Sequence, residues 1–588
     1  MKRYTIILIT MLCAISVVAS AQVVEQVEVT KNYAPEVGTV HKMEIEPNMV
    51  DTTTLHPEID YAITPRSYNS SFGLRRFKPA TATYWEYNRV YPFYLKLGVG
   101  YPLNTVGDLY ATTHRADVGY LTGYINHYGE YSKLKYFDGG VAYRDNRSMQ
   151  MTNKFGVTGG KYIKRYTLSG DLNYQMNTYH RYPLHNYYAE DGTAIFEYKR
   201  RKVNYDNINF AVDFGDSFSD YSHLNFKVYA SAHLFNDKSE LFIKNDRYLQ
   251  MNATAGVALA RELTKRSALS LDVDYKGYYG LRSLRSYDNT MASAKLKYFY
   301  RSGKLVDMEV GVTLIYDHNP ADTKKQNRWH AFPHLALSLN INDKGVFVPY
   351  VEVSGELQNN SYYSLVQRNP YVAILGGVDG SLAANSVLPN TELYNVCFGV
   401  SGHSANSKFA YRFYANMSFM TNAIYWYNIN HIFFGVESAK RNIWSLCGAV
   451  DYKPISQLLL TAQVKGSLYT NFSSVSNTLP PVEALLQARY THKKFTIGLS
   501  AELYGTTKWT MVQDASLFYP EDTTPVRKND ITVPAWVDLS VYADWHINKA
   551  CTVYAEGNNL IGDVMPRYRW VFYREMGASF TVGVKVQF

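Results

Sequence analysis

Beyond its first two dozen residues, the chain of 588 amino acids has no uninterrupted apolar run of about 18 residues, the length a helix needs to cross a bilayer. A helical membrane protein is therefore excluded. Cysteine is scarce: Cys13 lies in the leading apolar segment, and Cys397, Cys447 and Cys551 fall in separate strand-like stretches. Three thiols spread so widely form no disulfide framework, and neither C-x-x-C nor a zinc spacing occurs. A strong charge of one sign is also lacking, with Lys+Arg 60 against Asp+Glu 51. Such a balance does not indicate nucleic-acid binding. There is no G-x-S-x-G elbow, P-loop or H-E-x-x-H, so the sequence calls for no enzyme activity, cofactor or metal.

The excess is in aromatics, 15% of the chain with 53 Tyr. Disordered chains are poor in aromatics, so this one folds. With 46% hydrophobic residues and a mean hydropathy of −0.27, it is a large β-protein or a barrel whose membrane signal is spread thinly along the sequence.

Lys2 and Arg3, the apolar stretch Ile6 to Val18, and Ala19-Ser20-Ala21 before Gln22 have the three parts of a secretory signal peptide, residues 1–21. Its removal takes two cations, lowering the formal charge from +9 to +7. From about residue 91 the period is two. Leu269, Leu271, Val273 and Tyr275 alternate with Ser270, Asp272, Asp274 and Lys276, and Val306, Met308, Val310, Val312 and Leu314 with Asp307, Glu309 and Thr313. Successive strand residues point to opposite faces, so each strand has one apolar and one charged face. Runs of about 10–13 residues match the 9–11 needed by a tilted membrane strand.

Short polar connections such as Lys161–Arg165, Leu263–Ser267, Lys453–Gln457 and Ile547–Ala550 alternate with long ones near 175–205, 358–389 and 505–534. Short turns on one side and long loops on the other are the habit of outer-membrane barrels. Ten short connections, counted back to Arg115–Val118, predict an all-β antiparallel transmembrane barrel of about 22 strands over 91–588. Its last strand alternates Phe580, Val582, Val584, Val586 and Phe588 with Thr581, Gly583, Lys585 and Gln587. A terminal aromatic at Phe588 resembles the signal read by the outer-membrane assembly machinery.

The stretch Val553-Tyr554-Ala555-Glu556-Gly557-Asn558-Asn559-Leu560, then Glu575-Met576-Gly577-Ala578-Ser579-Phe580, resembles the end of a TonB-dependent receptor. The family's usual Gly-Arg is replaced by Gly577-Ala578. The resemblance implies a 22-strand barrel in the outer membrane of a Gram-negative bacterium and a transport role for an unidentified solute. It covers the barrel in architecture but only about 35 residues in motif. The family's plug exceeds a hundred residues, whereas Gln22–Val90 is a Pro-rich arm of 69. With Val29-Thr30-Lys31-Asn32-Tyr33-Ala34-Pro35 and Ile59-Asp60-Tyr61-Ala62-Ile63, the arm resembles that of plug-less, receptor-like barrels of Bacteroidota. It is expected to be periplasmic or inserted into the lumen. Glu25, Val27, Val29 and Thr30 resemble a TonB box, a segment that would pair edge-on with TonB; a short strand explains the same residues.

Candidate lumen residues are Asp272, Asp274, Lys276, Asp307, Glu309, Glu352, Glu356, Lys465, Glu502, Asp538 and Asp544. In porins such residues tune passage, although any wet lumen needs polar walls. His330 and His334 share that face, and four strand residues span about 13 Å, too far for ligands of one zinc. The expected partners are outer-membrane lipid, the assembly machinery, and either TonB or periplasmic and lipoprotein partners. The second set belongs to the rival reading, a structural barrel that scaffolds other proteins.

Overall fold

The computed structural model describes residues 91–588 apart from 116–117, 134–146, 181–186, 189–193, 197–201, 219–220, 240–247, 283, 285–287, 303–304, 321–325, 342–344, 373–387, 430–432 and 514–525. The signal-peptide, arm and TonB-box expectations lie outside the described residues. From Phe93–Tyr101 to Ser579–Gln587, 22 strands pair antiparallel with their neighbours. The first strand also pairs with the last, from Tyr94↔Gln587 to Tyr101↔Phe580, which closes the sheet. Closure leaves no strand edge free between last and first, the condition for a sheet to live in lipid.

Alternation explains which side faces out. Val273 and Tyr275, Val310, Val312 and Leu314, Ile497 and Leu499, and Phe580, Val582 and Val584 are all exposed apolar side chains on the outer surface. Phe588 ends the chain there, its ring stacked on Phe93 at 5.2 Å. Because lipid meets only this face, replacing Leu499 by Arg near mid-strand is expected to cost about 2–4 kcal/mol, whereas Ser500→Arg on the inner face costs far less. Urea unfolding in lipid vesicles checks the difference.

The turns at the end that carries both barrel termini are short. Strands ending at Ile163, Thr264, Ile455 and His546 restart at Tyr166, Ser267, Leu458 and Cys551. At the opposite end the first hairpin turns on Pro102 and Leu103. At the far end several strands run well past the bilayer. Phe409–Ile429 and Phe433–Ile455 have 21 and 23 residues. About ten would span the membrane, so half of this pair stands beyond it.

One ladder differs from the rest. Strands Asn327–Leu339 and Val348–Gln358 share only four residue pairs, Leu335↔Val353 to Ser338↔Tyr350, all toward the terminal end.

Candidate functional site

The far-end segments fold inward and meet over the lumen. After strand Val348–Gln358 the chain turns through Ser361, whose hydroxyl accepts from the Ser364 N–H and caps the helix Tyr362–Arg368. The helix lies against strands well around the barrel. Tyr362 donates its hydroxyl proton to Asp237, the Tyr363 N–H donates to Gln250 Oε1 at 3.1 Å, and Tyr205 donates to the Pro370 carbonyl at 2.6 Å. The Tyr363 and His233 rings are 4.1 Å apart. These bonds and the ring contact tie the loop to the wall, so it is anchored rather than merely resting on the rim.

The overlong strand pair bends over the same opening. A bulge between Met420 and Ala423, with Asn422 at φ 57°, re-aims its upper half. Tyr427–Ile429 then pair in parallel with Thr510–Val512 of the hairpin Thr507–Gln513/Val526–Val533. Side chains from this small sheet, Ile424, Trp426, Phe434, Val436, Trp509 and Met511, form one buried cluster with Leu365 and Val366 of the helix and Val571 to Tyr573 of the last loop. Phe434 is central, with ring centroids 5.9 Å from Trp509, 5.6 Å from Trp570 and 5.6 Å from Tyr573. Tyr573 stacks on Tyr371 at 4.2 Å. Segments that are distant in sequence thus share a single aromatic core, which forms a roof.

The last loop is pinned by charge. Arg567 pairs with Asp538 and Glu575, and Arg569 Nε lies 3.2 Å from Glu575 Oε1. Asn559 Nδ2 donates to the Met576 carbonyl at 2.7 Å. Glu130, which accepts from the Tyr128 hydroxyl at 2.7 Å, lies within electrostatic reach of Arg567 and Arg569. Burial pushes the Glu575 carboxyl up, but Arg567 and Arg569 outweigh it and hold it below its ordinary 4.5. A depressed carboxylate adds stability that is fully present above its unfolded value and lost as pH falls through the folded one. The pin is therefore expected to hold from neutral pH down to 4.5 and to weaken below it. Protease clipping of 559–578 across pH 3–6 with an acid-stable protease tests this, and Glu575→Gln removes the step.

Beneath the roof the sequence-nominated residues are distributed around the wall. Asp272 accepts from the Tyr229 hydroxyl at 2.8 Å, and Asp274 accepts from Ser293 and lies 3.3 Å from Lys276. The first of these borders a recess of about 500 Å³ beside the Lys227–Asp213 pair. Glu309 meets Lys297 and, at 2.7 Å, His334. Glu352 faces Arg412 at 3.9 Å, Glu356 accepts from Gln358 at 2.6 Å, Lys465 meets Glu483 at 3.0 Å and Asp544 meets Lys585 at 2.9 Å. Asp307 is opposite Arg301, and Glu502 is opposite Asp538. Asp538 meets the last loop through Arg567, and Glu356 lies within electrostatic reach of Arg368 on the roof helix. His330 and His334 have different carboxylate neighbours, Asp317 and Glu392 for the first and Glu309 for the second.

The roof residues were not singled out in the sequence. Their signal is the segment Tyr568-Arg569-Trp570-Val571-Phe572-Tyr573-Arg574, too aromatic for an ordinary exposed loop, together with Trp426 and Trp509 in other far-end segments.

The fold is thus a closed antiparallel barrel of 22 strands with loops folded over one end. No family model matches the sequence, and no curated protein matches it. Solved structures do match. The barrel is similar to the siderophore receptor PirA from Acinetobacter baumannii, with TM-score 0.61 and 11% identity over 84% of this chain and 80% of that one. It is similar to the ferripyoverdine receptor of the outer membrane of Pseudomonas aeruginosa, with TM-score 0.59 and 11% identity over 85% and 72%. A third match is the FrpB iron transporter from Neisseria meningitidis, with TM-score 0.59 and 10% identity over 85% and 83%.

Proposed function

We propose that this chain is an outer-membrane transport barrel of a Gram-negative bacterium, which passes or takes up a solute and whose outer mouth is closed by its own loops. The barrel's likeness to outer-membrane receptors and transporters carries this reading, and the aromatic roof over the outer mouth fits a passage that is kept shut until solute moves. The apolar outer face fits lipid, and the barrel's likeness to receptors and transporters supports transport over catalysis. Solute would pass the charged wall lined by Asp272, Asp274, Lys276, Asp307, Glu309, Glu352, Glu356, Lys465, Glu502, Asp538 and Asp544. Phe588 is the assembly signal of the reading. Glu25, Val27, Val29 and Thr30 are its candidate contact with TonB, which would supply the work of opening.

The test is uptake by cells that express the full chain or a chain lacking residues 22–30. The proposal expects solute uptake above the gene-disrupted strain, and loss of it in the truncated chain if TonB drives opening. Uptake unchanged by gene disruption, together with recovery of a stable stoichiometric complex from native membranes, would overturn it in favour of the scaffold.

A further inference from the structure

The short ladder between Asn327–Leu339 and Val348–Gln358 hides an overlap. Its four residue pairs compare with six to nineteen in every other junction of the barrel wall. Leu335 and Val353 are opposite each other and share the outer face, in line with exposed Val310 and Val351. Farther up, Gly355 and Leu357 have the same outward parity, as do Tyr394 and Glu392 paired to them.

These outward groups nonetheless touch inward groups of the adjoining wall. The Tyr394 ring is 5.1 Å from Phe332, Glu392 Oε1 is 3.4 Å from His330 Nδ1, and Leu357 packs on Met291, Ile315 and Phe332. A Cβ on Gly355 would come within 3.0 Å of the Phe332 Cβ. An outward face can meet an inward face only where one wall passes inside the other. At the far end, strands Val348–Gln358 and Thr391–His403 therefore lie inside strands Val306–His318 and Asn327–Leu339.

The overlap begins at membrane depth. Exposed Trp329 and its neighbour Tyr316, 5.2 Å apart, form an interfacial aromatic pair. Between that pair and Leu335, outward Ala331 and Pro333 have no strand partner among the described residues on the side of Val348–Gln358. Unpaired backbone in hydrocarbon is costly, and proline, with no N–H to donate, is confined to edges and bulges. The wall thus keeps a free strand edge in the outer leaflet, over an apolar layer closed by side chains alone. His330 and Asn390, which bonds Asp317 at 2.9 Å, latch its top.

We propose that this overlap is a lateral portal, through which the acyl chain of an outer-leaflet amphiphile slides between Phe332 and Gly355 into the lumen beneath the roof. The inference rests on the transport reading and names its substrate class: a molecule with a hydrocarbon chain reaches the lumen from the side while the mouth stays shut. Phe332 and Ile315 take the chain, and the latch receives the polar head at the interface.

The test uses the full-length protein with Cys397→Ser, Cys447→Ser and Cys551→Ser, in phosphatidylethanolamine vesicles whose palmitoyl chains are tritiated. Ile315→p-benzoylphenylalanine places a photoreactive group under the overlap, and Ser293→p-benzoylphenylalanine places one at the paired position on the open lumen face. The portal predicts at least about tenfold more lipid label at 315 than at 293, since reaction needs van der Waals contact. Adding Phe332→Cys with Gly355→Cys should abolish the label when oxidised and restore it on reduction. Equal label at both positions, or label indifferent to the disulfide, overturns the portal. Met291→p-benzoylphenylalanine serves as the second probe should the 315 variant fail to form a heat-modifiable barrel. Labelling is scored without any transport, so a transporter of hydrophilic solutes would fail here and still pass the uptake test.

Discussion

Arg567→Ala is expected to release the last loop from its pin to the wall while leaving the barrel closed. The guanidinium bridges Asp538 on the wall and Glu575 on the loop. Without it, two carboxylates and Glu130 nearby share a site whose remaining cation is Arg569. Breaking a buried pair costs about 3–5 kcal/mol, and the 22% exposure of the Arg567 side chain brings the expectation to about 2–3 kcal/mol. A roof opening that costs a few kcal/mol would then be populated roughly 30-fold to 150-fold more often. Limited proteolysis within 559–578 should accelerate accordingly, with heat-modifiable migration of the barrel unchanged. Arg567→Lys should recover only part of the protection, because an ammonium cannot bridge two carboxylates in fork geometry. Unchanged proteolysis in the Ala variant would show that the pin does not hold the loop.

Phe434→Ala should have the largest effect on the aromatic core. Its ring is fully buried and meets Trp509, Trp570 and Tyr573, which come from two different loops. Truncation of a buried Phe costs about 3–5 kcal/mol through lost transfer energy and the cavity left behind. The roof is joined to the wall by anchors as well as by this core, so the loss should loosen the roof and not the 22-strand ladder. Tryptophan fluorescence is the natural readout, since Trp509 and Trp570 pack on the removed ring. Quenching by iodide should rise sharply in the variant. Trp545, exposed on the outer face, is quenched to the same degree in both proteins and sets the background.

Much of the fold was legible because membrane strands write a simple code. Period-two alternation in 269–276 and 580–588 named the outer face, and short turns such as Lys161–Arg165 and Ile547–Ala550 gave the count of 22. Where alternation continued past the membrane, the same code misled. Phe409–Ile455 alternates like any strand pair, and nothing local says that its upper half leaves the wall at Asn422 and bends over the mouth. The inward parity of His330 and Phe332 was readable, but not what they face. Tyr394 and Glu392 carry outward parity and meet them only because one wall passes inside another, a non-local fact. The roof was illegible for the same reason, since Phe434, Trp509 and Tyr573 are brought together by three separate loops. Ion pairs such as Lys465 with Glu483 became specific only when the register was known.

Single-channel conductance in planar bilayers tests the roofed-barrel account most directly, comparing the native chain with one in which residues 361–371 are replaced by a Gly-Ser sequence of equal length. The same replacement in a chain lacking residues 22–90 scores closure by the arm separately. A 22-strand lumen is wide once nothing fills it. The account predicts little or no conductance for the native chain and, in at least one of the two backgrounds, open events about tenfold or more above it when the roof is removed. A native chain that conducts freely, or roofless variants as silent as the native chain in both backgrounds, would contradict it.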